Sequence, residues 1–186
     1  KGTSTDIDAY SFSTYRTLNT GKNKYLEGIL GLSNLNFKNI RQDGNNTLNG
    51  ERNGNQVFGS LHYINTFKKN NKDISPNFKL DISHTTLDDY SEKGINALQY
   101  DKQTVETLGI SGGFIVRNEI SKKDYILRPS MALDLGYDLS PSSDVSLSYV
   151  SDPNTKYTKS IDQEDDKSIK GKIGFDILNN TGLSMM

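Results

Sequence analysis

Few side chains in this chain of 186 residues could carry covalent chemistry. The chain has no cysteine and only two histidines, His62 and His84, so a thiol nucleophile is excluded and general bases are scarce. His84 stands close in sequence to Asp81 and Asp88, a combination that could form a catalytic pair. We favour a rim position for His84, at the end of a strand that carries it on the same file as Ile82. The sequence therefore predicts no catalytic residue and no enzymatic activity.

Two further runs could suggest a site. The run Ser111-Gly112-Gly113 is interpreted as small residues within a strand, which relieve curvature or leave room beside it. Residues 162–166, DQEDD, are acidic but lack the spaced Asp or Asn and the central Gly of a calcium loop. We interpret them as the solvated crest of a loop. With two histidines and no cysteine, the sequence predicts no metal site and no cofactor.

The composition excludes several classes of protein. Lys and Arg together number 22 against 23 Asp and Glu, so the basic footprint of a nucleic-acid-binding protein is missing. Apolar residues make up about 36% when Gly is counted in place of Tyr, against roughly 45–50% in ordinary soluble domains. Ten Tyr and seven Phe are nevertheless too many for a disordered tail. The chain is folded, but it has too few apolar residues for a large hydrophobic core.

Side chains alternate with a period of two along most of the chain, which indicates β-strands rather than helices. Residues 125–139 are the clearest case, because apolar residues occupy the odd positions and small or charged residues the even ones. Similar alternation occurs at residues 78–83, 107–116 and 169–177. Short turn signals at 19–23, 69–73, 121–124 and 179–182 alternate with longer polar connections at 42–55, 88–103 and 140–167. The pattern predicts an all-β, up-and-down antiparallel meander of about seven strands, plus the start of another at Leu183.

Alternation by itself leaves two kinds of barrel open. A soluble barrel or sandwich would point its apolar face inward and could bind a small apolar ligand or a protein partner. A transmembrane barrel would turn the apolar face to lipid and enclose a polar lumen. The small and oppositely charged residues of the polar face, and aromatic residues near strand ends, favour the transmembrane barrel.

This preference assigns a side to each residue. The residues predicted to line the lumen are polar ones that could also stabilise the wall as charge pairs between strands: Lys79, Asp81, Glu106, Arg128, Asp134, Lys170, Lys172 and Asp176. The residues predicted to face lipid are the apolar ones between them: Phe78, Leu80, Ile82, Leu108, Ile110, Phe114, Leu127, Met131, Leu133, Leu135, Ile173 and Phe175.

Short motifs along the chain resemble a known family. Residues 82–94 read ISHTTLDDYSEKG, residues 97–100 ALQY, residues 107–113 TLGISGG and residues 127–137 LRPSMALDLGY. Upstream, residues 5–10 read TDIDAY and residues 25–28 YLEG. In this order and spacing they resemble the autotransporter β-domain, the translocator barrel of type V secretion, over nearly the whole chain.

The resemblance implies a 12-stranded barrel in the bacterial outer membrane that anchors and conducts a passenger polypeptide. It implies three partners, namely outer-membrane lipid, the passenger and the barrel assembly machinery, and neither nucleic acid nor a small-molecule substrate. The charged file would then line a hydrated passage and hold the helix that plugs it. We expect residues 1–186 to be an internal fragment of this one barrel domain. Whether it closes, oligomerises or folds only within its parent stays open.

Overall fold

The computed structural model describes residues 2–162, 167–179 and 184–185. Every regular element in these residues is a β-strand. No helix among them is long and apolar enough to cross a membrane.

The main sheet is an antiparallel meander in which each long strand pairs with the next long strand of the sequence. Its long strands are β1 (Ser4–Gly21), β2 (Lys24–Asp43), β3 (Asn46–Asn65), β5 (Lys72–Leu87), β8 (Gln103–Asn118), β10 (Tyr125–Asp138) and β13 (Lys167–Asn179). The short β14 (Ser184–Met185) pairs with β13. The predicted all-β meander of seven strands with the start of an eighth is thus confirmed, and the sheet curls into a half-barrel.

The turns at one rim follow from their residues. Asn23 joins β1 to β2 with φ of 60°, and Asn70 precedes β5 with φ of 54°. Asn tolerates this left-handed region better than most residues with a Cβ, so both positions suit tight turns. Two short strands, β4 (Phe67–Lys69) and β9 (Ile120–Ser121), pair with β5 and β10 beside these turns.

The prediction of a long polar connection at residues 42–55 is wrong. Strands β2 and β3 stay paired up to Asp43 and Asn46, and a tight turn at Gly44, with φ of 58°, joins them. Residues 42–55 are polar because this end of the hairpin projects past the apolar part of the sheet, where a strand needs no apolar face. Both strands have 20 residues, well beyond the roughly 9–11 that cross a membrane.

The other two predicted connections carry a second sheet. It consists of β6 (Tyr90–Ser91), β7 (Leu98–Tyr100), β11 (Ser143–Tyr149) and β12 (Asp152–Ile161), in the order β12-β11-β7-β6. These strands are short and rich in polar residues, so their alternation does not stand out in the sequence. We call this the rim sheet, because it lies at the rim opposite the tight turns that include Asn23 and Asn70.

The structure has no central apolar core in the residues that it describes. Leu48 and Ala97 are the only buried hydrophobic side chains among them. Large apolar residues are instead exposed, as with Ile173, which is 89% exposed. Most of the apolar material is therefore spread over one face of the sheet, although Tyr15 and Ile29 share the face of Asp81.

Candidate functional site

The polar face of the sheet is its concave face, which we call the inner face. An open cavity of about 490 Å³ lies against it and takes its wall from β3, β5, β8, β10 and β13. Five of the eight residues predicted to line a lumen contribute to this wall, namely Lys79, Asp81, Asp134, Lys170 and Lys172. A second cavity of about 580 Å³, nearer the tight turns, is lined by Arg128 and Asp176.

The strand register explains why these seven residues share a face. Asp134 pairs with Lys170, and Arg128 pairs with Asp176, directly across β10 and β13. Lys79 and Asp81 lie two positions apart on β5 and therefore share a face, where they form an ion pair of 2.8 Å between Nζ and Oδ1. Side chains two positions apart in a strand point to the same face. Once one residue of a strand is assigned to the inner face, every second residue along that strand lies on the inner face too.

Glu106 is the exception among the eight. Its carboxylate lies 3.1 Å from His84 Nδ1, and both side chains are more than half exposed. Glu106 lies two positions from Leu108 on β8, and β8 pairs with β5 without a register shift, so both residues lie on the apolar face. The prediction that Glu106 lines the lumen therefore does not fit the structure.

A polar ribbon crosses the inner face. His62 on β3 lies 3.4 Å from Glu27 on β2 and 3.3 Å from Asn77 on β5. Asn77 in turn donates to Asp134 on β10 across 3.4 Å. The ribbon passes over Gly113, where a Cβ would lie 2.5 Å from Asp134 Oδ1. The sequence prediction did not include Glu27, His62 or Asn77, although His62 stands on the polar file of its strand.

The apolar face, which we call the outer face, carries all twelve residues predicted to meet lipid. Met131 pairs with Ile173, and Leu80 pairs with Leu61, so apolar residues of neighbouring strands stand side by side. The other nine lie on the same face of their strands: Phe78, Ile82, Leu108, Ile110, Phe114, Leu127, Leu133, Leu135 and Phe175. The register thus forms a continuous apolar belt on the convex side.

No catalytic arrangement occurs around the residues that suggested one. Asp81 and His84 lie on opposite faces of β5, because three positions separate them. Residues 109–113, GISGG, fit the Gly-x-Ser-x-Gly spacing of a nucleophile elbow, but an elbow needs a sharp turn between a strand and a helix. Here Ser111 lies inside the continuous strand β8, paired with Lys79 and Gly136.

The described residues hold no cluster of three or more His, Cys, Asp or Glu side chains that could bind a metal ion. Of the acidic run at 162–166, residues 163–166 lie outside the described residues.

A second constellation lies at the rim, where two arginines bind the segment that leaves β5. Arg41 forms a bidentate pair with Glu92, at 2.7 Å from Nη2 to Oε2 and 2.9 Å from Nε to Oε1. The Glu92 side chain is only 3% exposed. Arg52 donates to the carbonyls of Asp88 at 2.7 Å and Asp101 at 2.9 Å.

Two tyrosine rings complete the rim constellation. Tyr90 and Tyr100 stack with centroids 4.7 Å apart and planes 4° from parallel. Arg52 Cζ lies 5.5 Å from the Tyr90 ring centroid, within reach of a cation–π interaction. A Cβ at Gly50 would lie 2.6 Å from the Tyr90 ring, so only glycine leaves room for it.

Burial and charge shift the acid–base behaviour of these rim groups. The hydrogen bonds to Glu92 raise the pKa of Arg41, whereas burial lowers the pKa of Arg52. Burial raises the pKa of both Tyr90 and Tyr100, and the negative charge of Glu92 adds to the effect. The sequence analysis treated this segment as a connection and as a family motif, and it missed the constellation because the members are far apart in the chain.

Three solved structures resemble the chain, and the first of them supports the fold. The translocator domain of the autotransporter NalP from Neisseria meningitidis superposes with a TM-score of 0.63 at 15% identity, over 94% of this chain and 67% of that domain. The ferric yersiniabactin uptake receptor FyuA from Yersinia pestis matches with a TM-score of 0.44 at 10% identity, over 92% of this chain and 25% of the receptor. A major outer membrane protein from Thermus thermophilus matches with a TM-score of 0.36 at 12% identity, over 91% of this chain and 98% of that protein.

Of the two sequence comparisons, one finds no match and the other matches the whole chain. None of the curated proteins compared with the chain matches it. The family model described as the autotransporter beta-domain matches residues 1–186. A match over the full length agrees with the meander, the half-barrel and the inner and outer faces described above. The chain therefore belongs to the autotransporter β-domain family.

Proposed function

We propose that this domain is the translocator and membrane anchor of an autotransporter in the bacterial outer membrane, and that it performs no covalent chemistry. The observation that carries the proposal is the division of one sheet into an inner face with a polar ribbon and an outer face with an apolar belt. A membrane barrel needs this arrangement, since lipid meets the outside and water the inside. A soluble barrel needs the reverse.

The inner face offers a passage suited to an extended polypeptide. Its polar groups are oriented by the ribbon from Glu27 to Asp134, while Lys170 and Lys172 form no ion pair with any described residue. Free ammonium groups and fixed amides can exchange hydrogen bonds with a moving backbone without holding it tightly. The passenger, outer-membrane lipid and the barrel assembly machinery are the partners that this role requires.

The outer face supplies the anchor. At roughly 25 cal/mol for each Å² of apolar surface removed from water, a belt of this kind favours the bilayer strongly. The strands are also long enough to cross and project beyond it, as β2 and β3 do with 20 residues each.

The orientation of the two faces can be tested with single cysteines, because residues 1–186 contain none. We would introduce Ser111→Cys on the inner face or Leu135→Cys on the outer face of the full-length protein, with cysteines elsewhere replaced by serine. A charged maleimide should label the first in outer membranes, and only a lipid-soluble maleimide should label the second. The opposite pattern would support the soluble barrel and overturn the proposal.

Conduction of the passenger needs a separate test. A photo-crosslinking amino acid at position 172 should capture the passenger during export, whereas the same group at position 173, on the other face, should capture lipid or nothing. Capture at 173 alone, or at neither position while the passenger still reaches the surface, would contradict passage along this wall.

A further inference from the structure

Residues 88–102, which we call the strap, fold back along the projecting end of β3. β5 stops pairing with β3 where Leu87 meets Gly54. The strap continues along the same edge, with the Asp88 amide donating to the Asn53 carbonyl at 2.8 Å and the Lys93 amide to the Asn49 carbonyl at 2.9 Å. It thereby covers an edge that would otherwise present unpaired backbone groups.

The strap then turns over the inner face. In the β2–β3 register, Arg41 pairs with Leu48 and Phe37 pairs with Arg52. Leu48 and Arg52 are separated from His62 by an even number of positions on β3, so they lie on the inner face with it, and Arg41 lies there beside Leu48. Strap residues contact these side chains directly, through the bond from Arg41 to Glu92 and those from Arg52 to the Asp88 and Asp101 carbonyls. The strap therefore lies on the lumen side of the wall, at the end away from the tight turns.

The strap also carries the rim sheet. β6 and β7 belong to the strap, and β7 pairs with β11 through Leu98 and Tyr149. The Glu92 carboxylate accepts a bond of 3.0 Å from the Leu98 amide, so the pair with Arg41 also fixes the strand on which the rim sheet is built. One buried carboxylate thus connects the barrel wall to the whole rim sheet.

We propose that the strap is a cover over the mouth of the lumen, that the pair of Arg41 and Glu92 is its latch, and that the latched strap restricts passage through this mouth. This rests on the proposed function, because it requires the inner face to line a passage.

The latch can open without unfolding the wall. β2 and β3 hold each other through a continuous ladder from Lys24 to Asp43, in which the strap takes no part. Removing one partner of a buried pair leaves the other charge uncompensated, whereas reversing both charges preserves the pair. A segment can open locally while the rest of the structure stays folded, and the loss of a buried ion pair makes that opening easier.

Access to the lumen gives the test. In full-length protein that carries only Ser111→Cys, a charged maleimide added from outside should react about tenfold faster when Arg41→Ala or Glu92→Ala is present. Amide exchange in residues 88–102 should rise in the same variants. The double variant Arg41→Glu with Glu92→Arg should return both rates toward the parent values. Lys38→Ala is the matched control, since it removes an exposed pair with Asp8 from the same strand and should change neither rate.

Several outcomes would overturn the proposal. Equal labelling in all variants would show that the strap does not limit access, and no labelling in any variant would show that releasing the latch does not open the mouth. Faster amide exchange without faster labelling would make the strap a structural brace only. The contrast between Ser111→Cys and Leu135→Cys in the parent reports the proposed function separately, so either idea can fail alone.

A second variant keeps the test valid if the alanine variants do not fold. Asn49 and Lys93 are bridged partners, so Asn49→Cys with Lys93→Cys should form a disulfide that clamps the strap. Conductance of the purified full-length protein in planar bilayers should rise at least about twofold when this disulfide is reduced, because the clamped strap cannot leave the mouth. Unchanged conductance would contradict a cover that moves.

Discussion

The ring of Phe58 lies directly over Gly31, its partner across β2 and β3. A Cβ at position 31 would collide with Phe58 Cζ, so the ring occupies the space over Gly31 on the inner face. The missing side chain of Gly31 is what allows the ring to lie flat against the wall. The pair fills the inner face between the polar ribbon and the rim.

Replacing Gly31 with alanine should therefore destabilise the folded barrel, by about 1–3 kcal/mol, because the ring must leave its position. Gly28→Ala on the same strand is the control, since its Cβ would meet only Leu61 Cδ2 at an ordinary 3.6 Å. The measurement is urea-induced unfolding in detergent micelles, with the folded fraction read from the heat-dependent shift in electrophoretic mobility. Equal midpoints for the two variants would contradict the role given to Phe58.

Gly113→Ala should be more damaging than Gly31→Ala. Its Cβ would lie 2.0 Å from the Leu133 carbonyl oxygen, a backbone atom of the neighbouring strand that cannot rotate away. We expect poor assembly into the outer membrane, measured as the fraction of folded barrel in membrane extracts. Gly171→Ala meets nothing within 4 Å and should assemble as the parent does. Normal assembly of Gly113→Ala would show that β8 and β10 can separate at this point.

The main sheet was predictable because its signal is local. Each strand shows its two faces in its own residues, so the positions of Leu135 and Asp134 on opposite sides follow from parity alone. Glu106 shows the limit of reasoning from residue type, because its charge suggested the lumen while its parity with Leu108 places it outside. The projecting end of the β2–β3 hairpin was missed because strands outside a membrane need no apolar face.

The rim constellation could not be predicted from the sequence. Arg41 and Glu92 stand 51 positions apart, and nothing in either neighbourhood marks the other. The motif around Tyr90, Glu92 and Gly94 identified a family, but a motif does not say which wall residue its carboxylate binds. That relationship appears only once the β2–β3 hairpin projects far enough for the strap to fold onto it.

A charge on the outer face should cost more than the loss of a charge on the inner face. Ile173→Lys puts an ammonium group into the apolar belt and should destabilise the inserted barrel by about 2–4 kcal/mol near the bilayer midplane. Lys172→Leu, one position away on the inner face, should cost less than half as much. Unfolding of the barrel in lipid vesicles measures both. A larger loss for Lys172→Leu would mean that the inner and outer faces are reversed.

Alkaline pH should loosen the strap. Burial raises the pKa of Tyr90 and Tyr100 in the folded protein, so below pH of about 10 both rings are protonated in the folded and unfolded states and their contribution to stability is complete. Above that pH the unfolded rings ionise first, and stability falls as pH rises toward the folded values. In a titration followed by tyrosinate absorbance, Tyr90 and Tyr100 should ionise late, and Tyr90→Phe with Tyr100→Phe should remove this late step. Protein unfolded in denaturant, in which the late step should be absent, is the control. A late step that persists in the double variant would assign it to other tyrosines and contradict the buried stack.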